Sequence, residues 1–153
     1  MAAVYDFTKF RRLLNIHLVV QVVLAALLVW TAWMFQQKLA DRFLICVISA
    51  LVFQLILFFP IKSLTGKEVE REIASSAVAL TPDDLLALRR KRVIADIIKS
   101  SVFLFFFIFI YMLLQKPIIF LAFAYFSFIM TCLSYFQCFN FAAKREMKLR
   151  SGQ

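Results

Sequence analysis

Four stretches of the chain, residues 13–35, 43–61, 100–115 and 117–143, contain no Lys, Arg, Asp or Glu, while charged residues crowd into the segments between them. Each run approaches the roughly 17–25 residues that cross a hydrocarbon core as helix, the third once Ile97 and Ile98 are counted with it. None alternates apolar and polar positions as the strands of a transmembrane barrel would. The pattern predicts an all-α integral membrane protein with four transmembrane helices, at about 14–36, 43–61, 97–115 and 118–142. The turn sequences QQKLADR (36–42) and QKP (115–117) are short, which enforces antiparallel neighbours. The expected architecture is therefore two helical hairpins, with Pro117 suited to the first turn of the fourth helix. An uncleaved signal anchor is the expected role of the first segment, since its apolar run exceeds a signal-peptide core.

Residues 62–96 join the hairpins and are expected to form a helical loop, followed at the far end by a basic tail, 143–153. Within the loop Val69, Ile73, Ala77 and Leu80 recur at helical spacing. Thr81-Pro82-Asp83-Asp84 carries a complete start signal: a capping hydroxyl, Pro at the first helical position, and acids near the positive end of the helix dipole. A helix is predicted from about residue 82, running through Arg89, Arg90, Lys91 and Arg92 straight into the third span. Pro60 is expected to kink or end the second span, and Gly66 to punctuate the loop.

Composition agrees with lipid as the main solvent. Of 153 residues 63% are hydrophobic and 19 are Phe, with a mean hydropathy of +0.86, against roughly 45–50% apolar in soluble domains. Charge then orients the spans. Fifteen cations lie in the N-terminal segment, the central loop with its edges, and the tail, whereas only Lys38, Arg42 and Lys116 lie in the two short turns. The positive-inside rule places both termini and the central loop in the cytoplasm, with Trp30 and Trp33 at the outer interface. The bacterial inner membrane is the first expectation and the endoplasmic reticulum the alternative. The four cations Arg89, Arg90, Lys91 and Arg92 are read as topology anchors on lipid headgroups, each contributing about 1 kcal/mol near an anionic leaflet. No aromatic-interleaved basic face accompanies them, so nucleic acid is not an expected partner.

Polar residues inside the spans are the remaining candidates. His17, Gln21, Gln54 and Gln137 lie at similar depth near the cytoplasmic ends and could line a polar vestibule, or simply fix helix packing. Asp96 and Lys99, three apart, could form an ion pair where the loop enters the membrane. Ser127, Thr131, Ser134 and Cys138 form a small-residue stripe on the fourth helix, a packing face of the kind along which helices approach closely. The phrases Phe53-Gln54 with Phe58 and Phe136-Gln137 with Phe141 hint at a parallel repeat of the two hairpins. Cys46, Cys132 and Cys138 show no metal or redox spacing. No phosphate loop, zinc motif or Ser-His-Asp set is present, so no catalytic residue, cofactor or metal is expected.

The basic entry KFRRLL, the short outer turns and the acid-x-x-lysine pair Asp96/Lys99 give a layout that resembles the ATP synthase protein I family, four-span bacterial proteins associated with rotor-ring assembly. It is also similar in layout to the four-span gamma subunit of the translocon-associated complex. The resemblance covers the span pattern; the loop here is much longer, Phe is abundant and Gly is scarce, and no residue role is carried over. The function expected is a non-catalytic accessory subunit or assembly factor of a larger membrane complex, docking through the loop helices and the fourth-helix stripe. The alternative is a small homo-oligomeric channel or carrier. Expected partners are anionic membrane lipids and other membrane subunits or further copies of this chain.

Overall fold

The computed structural model describes residues 7–75 and 81–151, apart from the side chains of Lys9 and Ser151. Ala77 and Leu80 of the loop pattern lie outside the described residues. Every regular element among the described residues is helical: α1 (Thr8–Leu39), a single 3₁₀ turn (Ala40–Arg42), α2 (Phe43–Ala74), α3 (Pro82–Leu113) and α4 (Ile118–Ser151).

Among the described residues, the helical runs long and apolar enough to cross a membrane number three, not the four expected: Phe10–Ala74 with 65 residues, Pro82–Leu113, and Ile118–Arg150. The segments expected as separate spans at 14–36 and 43–61 belong to one uninterrupted helical run. The physical reason lies in QQKLADR. It has no Gly or Pro to stop a helix and is rich in good helix formers, so α1 continues to Leu39 and the 3₁₀ turn delivers the chain directly into α2. The run is folded on itself at Ala40, which holds φ 43° and ψ −115°. Its two ends meet at one site, because Phe10 and Leu14 share a cluster with Val69 and Ile73.

Pro60 does not end the second segment, and α2 passes through it to Ala74. Membrane helices tolerate Pro where neighbours and local adjustments satisfy the freed carbonyl. Gly66 likewise lies within α2 with open space around it. The expected loop helix is thus an extension of α2. The start signal at residue 81 does operate: Thr81 is extended (φ −72°, ψ 155°) and its Oγ1 accepts from the Asp84 N–H at 3.2 Å, while its hydroxyl donates to the Asp84 carboxylate at 2.6 Å. From there α3 is continuous through the cation cluster to Leu113.

Sequence neighbours are not the main packing partners. α4 packs chiefly against α2 and next against α1, whereas α1 and α2 touch each other little beyond their bend. α4 therefore lies in the cleft of the folded run, parallel to α2 and antiparallel to α1. Near the bend, Phe35, Leu39, Cys46 and Ala50 surround Ala122 and Phe126. At the other end Phe10, Leu14, Val69 and Ile73 close on Phe139 and Ala143. Ala122, Ala124, Ser127 and Ala143 are almost fully buried; their small side chains let three backbones come close. α3 lies outside this core. It has no buried residue and meets α4 through an edge-on contact of Phe103 and a tilted contact of Phe106 with Phe128. Large apolar side chains are exposed along every helix, an outer surface suited to lipid rather than water.

Candidate functional site

A polar contact between largely apolar helices joins α2 to α4. Gln54 is only 8% exposed. Its Nε2 donates to Ser134 Oγ at 2.7 Å, and its Oε1 accepts from Thr131 Oγ1 at 3.2 Å. Thr131 and Ser134, three apart, face α2 together because α4 is regular there. Both ends of the amide are thereby used. Ser127 is buried on the same stripe, and Cys138 is half-buried at its far end. The small-residue face is turned inward onto α2.

About four turns further along α2 the contacts become ionic and recruit α3. The Glu68 carboxylate accepts from Lys99 Nζ with one oxygen and from the Tyr135 hydroxyl with the other. Lys99 also lies over the Tyr135 ring, 5.6 Å from its centroid, so α2, α3 and α4 each supply one member. Asp96 stands at 3.7 Å from Lys99 and is mostly exposed. The expected Asp96–Lys99 pair is thus the looser of two contacts, and Glu68 is the main partner of Lys99. One turn outward, Glu72 receives Arg92 at 2.6 Å on one oxygen and at 2.7 and 3.0 Å on the other. Beside it Arg71 Nη1 donates to the Lys91 carbonyl at 2.8 Å. Such two-pronged guanidinium contacts fix direction as well as distance. Together these bonds form a clasp between the charged end of α2 and the charged start of α3.

Among the described residues no hydrogen bond joins any two of the four vestibule candidates. His17 packs edge-on against Phe136 and Phe139, with ring centroids 5.0 and 4.7 Å away. Gln21 is half-buried, and Nδ1 of His17 and Nε2 of Gln21 are buried without a hydrogen-bond partner among the described residues. Gln54 is held as described, and Gln137 is exposed. Of the four anchor cations, Arg89, Arg90 and Lys91 are exposed with no ion pair among the described residues, while Arg92 belongs to the clasp. No group of three or more His, Cys, Asp or Glu side chains gathers as for a metal ion among the described residues.

The chain matches no family model, no curated protein and no solved structure. The likeness of layout to small four-span proteins therefore brings no function with it, and the site must be read from its own chemistry.

Sequence reasoning overlooked Glu68, Glu72 and Tyr135. A signal existed. Glu68 and Glu72 are four apart on one face of a helix, and Arg92 and Lys99, seven apart, form a matching stripe on the next. The match becomes visible only if α2 is carried past Pro60 without a break. In chemical terms the clasp is saturated: its carboxylates are held by cations and a phenol, so what it supplies is position and rigidity.

Proposed function

We propose that the chain is an integral membrane protein whose termini and 62–96 segment face the cytoplasm, and that it serves as a non-catalytic accessory subunit or assembly factor of a larger membrane complex. One observation carries the reading. α2 and α3 both continue beyond their apolar stretches as charged helices, clasped to each other through Glu68–Lys99, Glu72–Arg92 and Arg71–Lys91. An ordered, charged pair of helices held on an apolar base is a preformed docking element, and preorganisation lowers the entropic cost of association. The fourth-helix stripe is taken up by α2, so docking falls to the clasp's outer side, where Lys67, Glu70 and Lys91 are exposed. The cation asymmetry supports the orientation, with the bacterial inner membrane as the first setting and the endoplasmic reticulum as the second.

The test is affinity purification in mild detergent followed by mass spectrometry. The expected result is a membrane complex that co-purifies in fixed ratio, is lost on joint reversal of Lys67→Glu, Glu70→Lys and Lys91→Glu, and assembles poorly when the chain is deleted. A lone monomer together with unchanged assembly of membrane complexes after deletion would overturn the proposal. Orientation is checked separately by a reporter at the C-terminus.

A further inference from the structure

Two shallow grooves run along α3 and share Ser100 and Leu104. One is flanked by Val93 and Ile97, and the other reaches Phe107, Ile110 and, from α4, Phe128. They form one trough from Val93 to Ile110, ~25 Å long at 1.5 Å per residue, on a helix that buries none of its residues. Helical spacing fixes what stands at its charged end. Arg89 is one turn before Val93 and about three turns before Ser100 on the same stripe, and Arg90 stands beside it. Arg92 and Lys99 lie on the side facing α2 and are paired with Glu72 and Glu68. Arg89 and Arg90 are exposed and have no ion pair among the described residues. Asp96, on the trough's edge, leans towards Lys99.

The cations of α3 are therefore sorted by face. Those facing α2 hold the fold, and those above the trough have no ion pair among the described residues. We propose that the trough seats one anionic phospholipid, with its phosphate on the Arg89 and Arg90 guanidinium groups and an acyl chain along Val93, Ser100, Leu104 and Phe107. Guanidinium forks match phosphate geometry, and a headgroup with net negative charge gains from two of them, whereas a choline group would bring a third cation. The trough has one long wall and only Phe128 opposite, which suits a flexible hydrocarbon chain better than a rigid helix. The inference rests on the membrane reading and is independent of the accessory role.

The full chain is tested by native mass spectrometry from detergent with equal amounts of phosphatidylglycerol and phosphatidylcholine. Phosphatidylglycerol is expected to be retained preferentially. Arg89→Ala with Arg90→Ala should cut that preference by roughly 20- to 30-fold, from about 1 kcal/mol per cation. The charge-matched pair Lys144→Ala with Arg145→Ala, on α4 and outside the trough, should leave that preference nearly unchanged. Ser100→Phe, which fills the trough at a lipid-facing position, should weaken retention of both lipids alike. Millimolar inorganic phosphate should displace neither. Equal retention of the two lipids would overturn the proposal. So would equal losses in the two double variants, indifference to Ser100→Phe, or displacement by free phosphate.

Discussion

Replacing Gln54 by Leu removes the polar contact between α2 and α4 while nearly preserving volume. Two interhelical hydrogen bonds disappear, to Ser134 at 2.7 Å and from Thr131 at 3.2 Å. Bonds of this kind in membrane proteins average about 0.6 kcal/mol each, with a ceiling near ~1.7. The two hydroxyls left behind can turn to carbonyls of their own helix, so no lasting orphan is created. The new leucine gains little from burial, because lipid is as apolar as the site. The expected destabilisation is thus about 1.2 kcal/mol, close to an eight-fold change in the folding equilibrium. A double-mutant cycle isolates the bond: Gln54→Leu, Ser134→Ala and the double variant, unfolded reversibly in bicelles by steric trapping, should show a coupling of about 0.6 kcal/mol. Coupling indistinguishable from zero would refute the contact. A loss above ~3 kcal/mol would refute the claim that the hydroxyls find other partners. Liposomes holding the same variants separate packing from transport, since an ion flux abolished by Gln54→Leu would reinstate the carrier reading.

Ile73 is fully buried in the cluster that seals the end remote from the bend, so Ile73→Ala should cost about 2–5 kcal/mol by cavity formation; the same bicelle assay should find Val102→Ala, on exposed α3, close to neutral. Ala40 holds φ 43°, a region costly for any residue with a Cβ. Ala40→Gly should therefore stabilise the chain by about 1 kcal/mol, and an unchanged or lowered stability would show that the bend is not strained. Thr81→Ala removes the cap on α3 and should cost about 1 kcal/mol, read as faster amide exchange confined to residues 82–86.

Length and greasiness of the apolar runs, the start of α3 and its passage through the cations could all be read from residues 81–115, where a capping motif meets an unbroken apolar stretch. Two features could not. The polar segment QQKLADR was expected as a turn between spans, yet it lacks any Gly or Pro, and helix continues on both sides of the bend at Ala40. Pro60 and Gly66 were given the breaking weight they carry in water, although α2 runs through both. That single misreading hid Glu68 and Glu72 as partners for Lys99 and Arg92. Tyr135 was hidden for a different reason. It is one aromatic among many in a helix without polar periodicity, and only the placement of α4 between α1 and α2 brings its hydroxyl to Glu68. The stripe of Ser127, Thr131 and Ser134 was visible as a seam, but sequence carries no information on which helix fills it.

The placement of α4 has a consequence for biosynthesis. The inner faces of the first folded run find their partner only in α4, which leaves the ribosome after α3, since α1 and α2 hardly touch each other. The early helices must wait in the bilayer as an open clamshell, with Gln54 lacking Thr131 and Ser134 and Glu68 lacking Tyr135, until α4 slides in as a keystone. Truncation anywhere before α4 leaves no half-built core, only the open clamshell, and quality-control proteases that read exposed intramembrane polar groups would see it immediately.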